Sequence, residues 1–315
     1  MRPAPLLGVV GPTCTGKTAL AVQVALRLGN AELVNADSRQ VRTGLQVGTC
    51  APTAAQLQGI RCHLVQQVPI GADYTVADWL GPARQIVSGL RAAGRIPIVV
   101  GGTGLYIRAL LDGYRLAPPP EPERRALRNR LAEGEDGLQQ LVAELVRRAP
   151  DRIPAIDLQN PRRVIRALEA VDAGGDSPGA TPLPGQVLRI GLDTDRTVHA
   201  GWVRHRTELM FTGGALPDEV ERVLSAGVDR QALQRCGIGY REALAVAGGT
   251  LETEEAIELV VRRTLRYARA QRTFFRGDPA AVRWLDAASP PGSLVDAAAA
   301  LLEAPAMADS HLAGA

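Results

Sequence analysis

The chain of 315 residues contains 36 basic residues but only one lysine, Lys17. A guanine-specific lysine motif is therefore excluded, because this lysine already belongs to a glycine-rich stretch near the N-terminus. No hydrophobic run is long enough to cross a membrane. The first apolar run begins at Leu6, which leaves no room for a signal peptide. We therefore expect a cytoplasmic protein with no membrane association.

Cysteine is also scarce, and its placement excludes two further classes of protein. The cysteines form no C-x-x-C pair and no cluster with histidine of the zinc-binding type. We expect reduced thiols at all four positions. They are Cys14, Cys50, Cys62 and Cys236. The net charge is only +3, so a nucleic-acid partner must be argued from where the arginines lie.

What the sequence does contain is the stretch GPTCTGKT, from Gly11 to Thr18. It fits the pattern G-x-x-x-x-G-K-[ST], in which backbone N–H groups surround a phosphate, the lysine binds phosphate oxygens and the hydroxyl meets a metal ion. The apolar run Leu6 to Val10 precedes it, and a segment with helical spacing follows it and ends on Gly29. This order places a helix N-terminus against the anion. Because a chain rich in arginine keeps a lysine here, a phosphate site is favoured over an ordinary glycine-rich turn.

Further apolar runs predict a parallel sheet, namely ELVNA from Glu32, RIPIVV from Arg95 and VLRIGL from Val187, with helical stretches between them. We therefore predict an α/β fold, a P-loop NTPase-like parallel sheet flanked by helices, with an inserted small helical domain. Breaks rich in proline or glycine, at Ala117 to Glu123 and Asp172 to Gly185, bound the insertion. The predicted parts are a first core segment at 1–116, an inserted helical lobe at 117–186, a second core segment with basic C-terminal helices at 187–304, and a loose tail at 305–315.

The strand ends decide which phosphate chemistry is compatible with the loop. A motor or regulatory NTPase has an apolar strand that ends in a metal-binding aspartate, whereas IPIVV leads into GGTGLY and no aspartate follows. The second strand leads into NADSRQ, which places Asp37 at the carboxyl end of a strand, where this fold binds ligands. Asp37 is our candidate base, although an Asp-Ser pair after a strand is also typical of a turn or a helix cap.

The C-terminal part has a segment without acidic residues, between Glu258 and Asp278. Arginines recur in it mostly at steps of three and four, which on a helix makes one basic face. They are Arg262, Arg263, Arg266, Arg269, Arg272 and Arg276. A solvated face usually includes carboxylates, so we favour contact with phosphates. A second arginine-rich region, Glu121 to Glu169, also contains acidic residues, and surface and partner binding stay equally open there.

An ordered set of motifs spans nearly the whole chain, from Gly8 to about Asp278. It consists of GPTCTGKT, ADSRQ…GLQVGT, CHLV…YTVADW, GRIPIVVGGTGLYIRALLDG, NPRRVIRALE, RCGIGYRE and RRTLRYARAQRTFFR. The set resembles the tRNA dimethylallyltransferase family, also called isopentenyl-tRNA transferases. The resemblance implies transfer of a dimethylallyl group from dimethylallyl diphosphate to the exocyclic N6 amine of the adenosine on the 3′ side of a tRNA anticodon. Diphosphate is released, with Mg²⁺ present.

The resemblance also implies roles for individual residues. Asp37 matches the base that removes the amine proton, Thr103 a position beside the reacting adenine, and Arg206 an arginine near the diphosphate. The residues that would bind the donor are Gly11, Thr13, Cys14, Thr15, Gly16, Lys17 and Thr18, with the metal near Thr18. The residues that would bind the tRNA anticodon stem-loop are Asp37, Ser38, Arg39, Gln40, Arg125, Arg162, Arg163, Val164, Ile165, Arg166, Arg235, Cys236, Gly237, Ile238, Gly239, Tyr240, Arg241, Arg266, Arg269, Arg272 and Arg276. For Tyr240 and Phe274, core packing is favoured over stacking on bases.

Four positions depart from the family pattern. Arg42, Ala51, Cys62 and Phe274 stand where tyrosine, lysine, histidine and tryptophan are usual, and they bear on RNA contacts and not on the reaction class. Three other functions stay open: an isopentenyltransferase that uses free AMP, a P-loop small-molecule kinase, and an RNA-binding protein whose loop is only structural. The inserted lobe and the basic helix favour tRNA over AMP. We expect a monomer.

Overall fold

The computed structural model describes residues 3–113, 121–132, 136–172, 181, 183–277, 280 and 282–303. For several residues of the helix at 121–132, Arg125 among them, only the backbone is described. The expected loose tail at 305–315 lies outside the described residues. No helix within the described ranges is long and apolar enough to cross a membrane.

The described strands form one sheet in which every neighbouring pair is parallel. They are β1 (Leu6–Val10), β2 (Ala31–Asn35), β3 (Cys62–His63), β4 (Ile96–Val100), β5 (Val187–Asp193) and β6 (Arg283–Asp286), and their order in the sheet is β3-β2-β4-β1-β5-β6. The predicted α/β class is confirmed. The sequence prediction missed β3 and β6, because a strand of two half-buried residues and a short edge strand that is partly exposed lack a continuous apolar run.

The helices outside the insertion surround this sheet or follow it. They are α1 (Lys17–Leu28), α2 (Ala54–Leu57), α3 (Val76–Ala92), α4 (Gly104–Leu111), then α8 (Arg196–Phe211), α9 (Ala215–Ser225), α10 (Arg230–Gln234), α11 (Tyr240–Ala247), α12 (Thr253–Arg276) and α13 (Pro291–Glu303). The helices of the insertion are α5 (Glu121–Ala132), α6 (Gly137–Arg148) and α7 (Pro161–Asp172).

Both faces of the central strand β1 are covered. Leu7 and Val9 pack in one apolar cluster with residues of α1 and α13, including Val24 and Ala298. Gly8 points to the opposite face, since neighbouring residues of a strand alternate, and a Cβ placed there would meet Leu111 of α4 at 2.7 Å. Burial on both faces explains why the central strands read as unbroken apolar runs.

A second apolar cluster lies among the helices that follow β5. Residues of α8, α9, α11 and α12 form it, with Val203, Leu216, Tyr240 and Val260 among the most buried. The cluster also contains Leu45, from the segment between β2 and α2. It therefore fixes α8 and α12 beside the loops that follow the carboxyl ends of the strands.

The chain divides into two compact units, one of which is Gly113–Pro182 and the other the remainder. Within the first, α5, α6 and α7 pack around an apolar cluster that includes Leu127, Leu141 and Leu168. Val164 and Ile165 belong to this cluster and are buried. Their side chains therefore form the core of the insertion, and their assignment to tRNA binding stays a prediction.

Candidate active site

The phosphate loop connects β1 to α1, in the arrangement that its sequence predicts. Gly11 has φ 134°, and a Cβ there would lie 2.2 Å from the carbonyl oxygen of Leu192. Only glycine fits such a close approach in this conformation. The Thr15 hydroxyl donates a hydrogen bond to the Pro12 carbonyl at 2.9 Å, and Gly16 leads directly into α1. The loop is therefore held in a turn around the N-terminus of the helix.

Lys17 is the first residue of α1, and Thr18 follows it in the same turn. The Lys17 Nζ donates a hydrogen bond to the Pro12 carbonyl oxygen at 2.6 Å. Burial lowers the pKa of Lys17 to about 8, although the nearby Asp37 acts in the opposite direction. An anion bound in the loop would pair with the Lys17 ammonium and would therefore raise the pKa of Lys17.

Thr13 is bound at each of its three polar groups by a side chain from a distant helix. Its backbone N–H donates to Gln271 Oε1 at 2.8 Å, and its carbonyl lies 2.8 Å from His199 Nε2. Its hydroxyl accepts a hydrogen bond from Arg206 Nη1 at 3.1 Å. Because burial lowers the pKa of His199, its neutral ring carries the proton on Nε2, where the carbonyl accepts it. The shape of the loop thus depends on α8 and α12.

The sequence alone does not point to His199 and Gln271 as residues of the site. Their contacts with Thr13 span 186 and 258 residues, and no motif links positions so far apart. The only sequence signal is a polar residue on the apolar face of α8 or α12. A histidine or glutamine in such a position needs a hydrogen-bond partner.

Asp37 lies just beyond β2, and its neighbour Ser38 meets Thr103 from beyond β4. The Ser38 N–H donates to the Thr103 hydroxyl at 2.9 Å, and the Thr103 N–H donates to the Ala36 carbonyl at 3.2 Å. A Cβ at Gly101 would lie 2.2 Å from the Ala36 oxygen, so the two strand ends touch through their backbones. The structure therefore brings together the two positions that the sequence assigns to the reacting amine.

The Asp37 carboxylate combines the two interpretations that the sequence left open. Its Oδ1 accepts a hydrogen bond from the Arg39 N–H at 2.9 Å, which is the turn contact. The carboxylate also lines a cavity of about 180 Å³ that is lined by Thr13 and Arg206 as well. The turn therefore uses one carboxylate oxygen, and Asp37 lines the same cavity as Thr13 of the phosphate loop.

The rest of the cavity wall is largely apolar, with Met210 of α8, Ile238 before α11 and Val260 of α12 among its lining residues. Arg206 Nε is buried and has no hydrogen-bond partner among the described residues. Tyr267 completes this side, with its hydroxyl 3.5 Å from the Gly102 carbonyl. Burial raises the pKa of Tyr267 to about 12, and Asp37 adds to the effect, so its hydroxyl stays protonated.

Comparison with known proteins identifies the family of the chain. A family model described as IPP transferase matches residues 40–278. The chain belongs to the IPP transferase family. It is 39% identical over 294 residues to the tRNA dimethylallyltransferase of Thermomicrobium roseum, covering 91% of this chain and 87% of the relative. It is 39% identical over 307 residues to that of Thermobifida fusca, covering 94% of each.

A solved structure of the same family has a similar fold. The full-length tRNA isopentenylpyrophosphate transferase of Bacillus halodurans is 33% identical, with a TM-score of 0.68 over 95% of this chain and 97% of that chain. The family resemblance inferred from the sequence is confirmed.

In this IPP transferase, several predicted RNA-binding residues hold the site together. Arg39 Nη1 donates to the Arg235 carbonyl at 2.7 Å, and Gln40 Nε2 donates to the Cys50 carbonyl at 2.9 Å. Cys236 and Tyr240 are buried. Their assignment to RNA binding stays a prediction, whereas the expectation that Tyr240 packs in the core is confirmed.

The hydroxyl of Tyr240 donates to Glu219 Oε1 at 2.8 Å. The same carboxylate accepts from the backbone N–H groups of Gln46, Val47 and Gly48. Gly48 also lines the cavity, as do Gly237 and Ile238 of the predicted RNA-binding turn, which continues through the buried Gly239 into α11. Glu219 thus anchors a loop of the cavity wall.

The basic helix α12 of the IPP transferase has two kinds of arginine. Arg272 Nε and Arg276 Nη2 donate to the Asp193 carboxylate at 2.7 and 2.9 Å. Burial alone would raise the pKa of Asp193, but these hydrogen bonds hold it below its usual value. Arg266 and Arg269 are exposed and form no ion pair within the described part of the chain. The predicted basic face is therefore partly an internal ion-pair network.

Asp193 lies at the carboxyl end of a strand, as the metal-binding aspartate of a regulatory NTPase does. A strand does end in an aspartate, and it is β5, the neighbour of β1. Its carboxylate is occupied by two guanidinium groups, so it does not offer the free ligand of a regulatory NTPase.

Within the insertion, the arginines that are predicted to bind tRNA are exposed on α7. Asn160 Oδ1 caps this helix by accepting from the N–H groups of Arg162 and Arg163. Arg166 Nη1 lies 3.3 Å from Glu169, and the side chain of Arg125 lies outside what the structure describes. Arg235 and Arg241, in the other unit, are likewise exposed.

The four departures from the family pattern have structural partners. Arg42 Nη1 donates to the Ala72 carbonyl at 2.7 Å, and Ala51 is buried. Cys62 lies in β3, where burial raises its pKa to about 12. The ring of Phe274 lies against Gly104, is 36% exposed and has a guanidinium 5.6 Å from its centroid.

Proposed function

We propose that this IPP transferase moves the dimethylallyl group of dimethylallyl diphosphate to the N6 amine of the adenosine on the 3′ side of a tRNA anticodon. One observation carries the proposal: Thr13 of the phosphate loop, Arg206 and Asp37 line the same cavity. The diphosphate in the loop is the leaving group, and Asp37 across the cavity is the proton acceptor. The reacting carbon of the donor would lie between them.

The donor's diphosphate is bound by the loop, the N-terminus of α1, Lys17 and Arg206. Positive charge fixed in place before reaction stabilises the charge that grows on the departing diphosphate as the allylic C–O bond breaks. The five-carbon group fits the apolar lining that Met210, Ile238 and Val260 provide. Arg206 suits the anion because its buried Nε has no partner among the described residues.

Mg²⁺ fits this loop as an ion that the diphosphate brings with it. No group of three histidine, cysteine, aspartate or glutamate side chains in the described ranges could hold a metal. Mg²⁺ commonly keeps several waters and binds through substrate phosphates with few protein ligands. Thr18 and the donor's oxygens would hold it, and the ion would neutralise charge on the diphosphate.

The acceptor amine needs help because its lone pair is delocalised into the adenine ring. Asp37 takes one amine proton while the new N–C bond forms, which lets the nitrogen attack without becoming a cation. The Arg39 N–H fixes one carboxylate oxygen, and Thr103 fixes the turn through Ser38. The nucleotide turns out of the anticodon loop to reach this position.

The exposed arginines bind the RNA on either side of the reacting nucleotide. Arg266 and Arg269 of α12, with Arg235 and Arg241, contact backbone phosphates from the core unit. Arg162, Arg163 and Arg166 do so from the insertion, for which we also propose a tRNA-binding role. We further propose that the enzyme acts as a monomer in the cytoplasm, without membrane association.

The test is incubation with labelled dimethylallyl diphosphate, Mg²⁺ and an anticodon stem-loop RNA. We expect label in N6-prenylated adenosine after digestion, and none when guanosine replaces that adenosine. Efficient labelling of AMP would instead identify an adenylate isopentenyltransferase. A parallel incubation with labelled ATP and a metabolite pool tests the kinase alternative, for which we expect no phosphate transfer.

A further inference from the structure

The side chain of Gln271 joins the two halves of the active site. It is 5% exposed, on the face of α12 that is directed at the strand ends. Its Oε1 accepts from the Thr13 N–H at 2.8 Å, and its Nε2 donates to the Gly102 carbonyl at 2.8 Å. One primary amide therefore uses its acceptor on the phosphate loop and its donor on the turn that carries Thr103.

We propose that Gln271 is a positioning residue that sets the distance between the donor and the acceptor amine. The inference rests on the proposed function, because it assigns the phosphate loop to the donor and the Asp37–Thr103 side to the acceptor. Gln271 touches neither substrate; it acts through Thr13 and Gly102.

The donor end of this bridge is held firmly. His199 and Arg206 bind the carbonyl and the hydroxyl of Thr13. With the hydrogen bond from the Thr13 N–H to Gln271, all three polar groups are paired, which restrains the rotation of this peptide. The Thr13 N–H is thereby committed to Gln271, and the remaining N–H groups of the loop surround the diphosphate. The loop has its reactive shape before the donor binds.

The acceptor end explains why a glycine precedes Thr103. A Cβ on Gly102 would lie 2.3 Å from Gln271 Nε2 and 3.6 Å from Asp37 Oδ2. Gly102 has no left-handed φ, so its small size, and not its backbone conformation, is what the position requires. The missing side chain lets the amide reach the backbone directly beside the base.

The chemistry makes this distance important. Bond formation requires the amine nitrogen to approach the allylic carbon to about 3–3.5 Å, and a misplacement of about 1 Å can cost about 100-fold in rate. A bridge of two short hydrogen bonds between the loop and the turn keeps the two substrates at a fixed separation. Its loss affects kcat, since each substrate still has its own binding groups.

Replacement of Gln271 by glutamate separates the two ends of the bridge. The carboxylate in Gln271→Glu still accepts from Thr13 but cannot donate to Gly102, whereas the protonated acid can do both. Burial raises the pKa of such a carboxyl group. We expect kcat to fall about 10- to 100-fold at alkaline pH and to recover as the pH is lowered toward about 6. The wild-type profile lacks this recovery.

A double substitution tests the geometry at Gly102. We expect Gln271→Ala and Gly102→Ala each to lower kcat about 10- to 100-fold, with both KM values changed by less than about threefold. The double variant should be no slower than Gln271→Ala, because the added methyl group occupies the space that the amide leaves. Gln231→Ala, at an exposed glutamine of α10, is the matched control and should retain full activity.

Hydrogen exchange gives a readout that needs no activity. The Thr13 amide should exchange slowly in the wild type and in Gln271→Glu, and at least about tenfold faster in Gln271→Ala. Equal exchange rates in the three proteins, a wild-type pH profile for Gln271→Glu, or additive losses in the double variant would overturn the positioning role. A wild-type protein that transfers no prenyl group would instead refute the proposed function, while the exchange experiment would still decide whether the bridge exists.

Discussion

The donor side and the acceptor side of the active site are built in different ways. The donor side is centred on one continuous loop, Gly11 to Thr18, in which the glycines and the lysine are close together in the sequence. The acceptor side joins Ser38 and Thr103, 65 residues apart, through the carboxyl ends of the adjacent strands β2 and β4. A local motif therefore identifies what is bound, whereas the order of strands in the sheet determines what can react with it.

The two sides share their support. Helix α12 contributes Gln271 to both, and Arg272 and Arg276 of the same helix fix Asp193 at the end of β5. A helix that the sequence assigns to RNA binding thus also aligns the two substrates. Substitutions on each side should separate these roles, since the residues proposed to bind the donor would act on the diphosphate and those proposed for the acceptor would act on the amine.

The largest effect should follow from removal of the base. Asp37→Asn keeps an oxygen that can accept from the Arg39 N–H but loses the ability to take a proton. We expect kcat to fall about 10²- to 10⁴-fold, with the affinity for the stem-loop RNA nearly unchanged. Single-turnover prenyl transfer and filter binding measure the two quantities. Retention of more than about half the activity would show that another group removes the proton.

Lys17→Met should come second and should affect the donor side. Loss of one charge that stabilises the leaving group typically costs about 10²- to 10³-fold in kcat, and KM for dimethylallyl diphosphate should also rise. Lys17→Arg should not restore the rate, because a planar guanidinium cannot occupy the place of an ammonium held 2.6 Å from the Pro12 carbonyl. A rise in KM for RNA alone would contradict the assignment of this loop to the donor.

These two residues also show how much of the site can be predicted from the sequence. GPTCTGKT specifies a turn and a helix start by local conformation, so the loop could be predicted outright, and Asp37 followed from its place after an apolar strand. Gln271 and His199 could not be predicted, because a contact across 186 or 258 residues depends on how α8 and α12 pack. Arg272 was assigned to RNA for the same reason: the sequence shows its charge but not its partner Asp193.

The pH dependence of donor binding should be a smaller effect. Burial lowers the pKa of Lys17 to about 8 in the free enzyme, and the bound diphosphate favours the charged form. Donor affinity should therefore decrease as the pH rises through about 8, by up to about tenfold per pH unit above that value. KM for dimethylallyl diphosphate, measured from acid to alkaline pH, checks this. Lys17→Met should lack the transition, and so should the KM for RNA in the wild type.

The smallest effect should come from the exposed arginines of α12 and should be confined to the acceptor. Replacing Arg266 and Arg269 together with alanine removes two phosphate contacts, so the slope of log affinity for RNA against log salt should decrease by about 0.7 to 0.9 per contact. Donor KM and kcat at saturating RNA should not change. Arg272→Ala is the matched comparison: its guanidinium, 15% exposed, binds Asp193, so its loss should lower the melting temperature and leave the salt slope unaltered. If Arg272→Ala and the double variant decrease the salt slope equally, the ion pairs of Asp193 break when RNA binds. The whole basic face of α12 then contacts the phosphates.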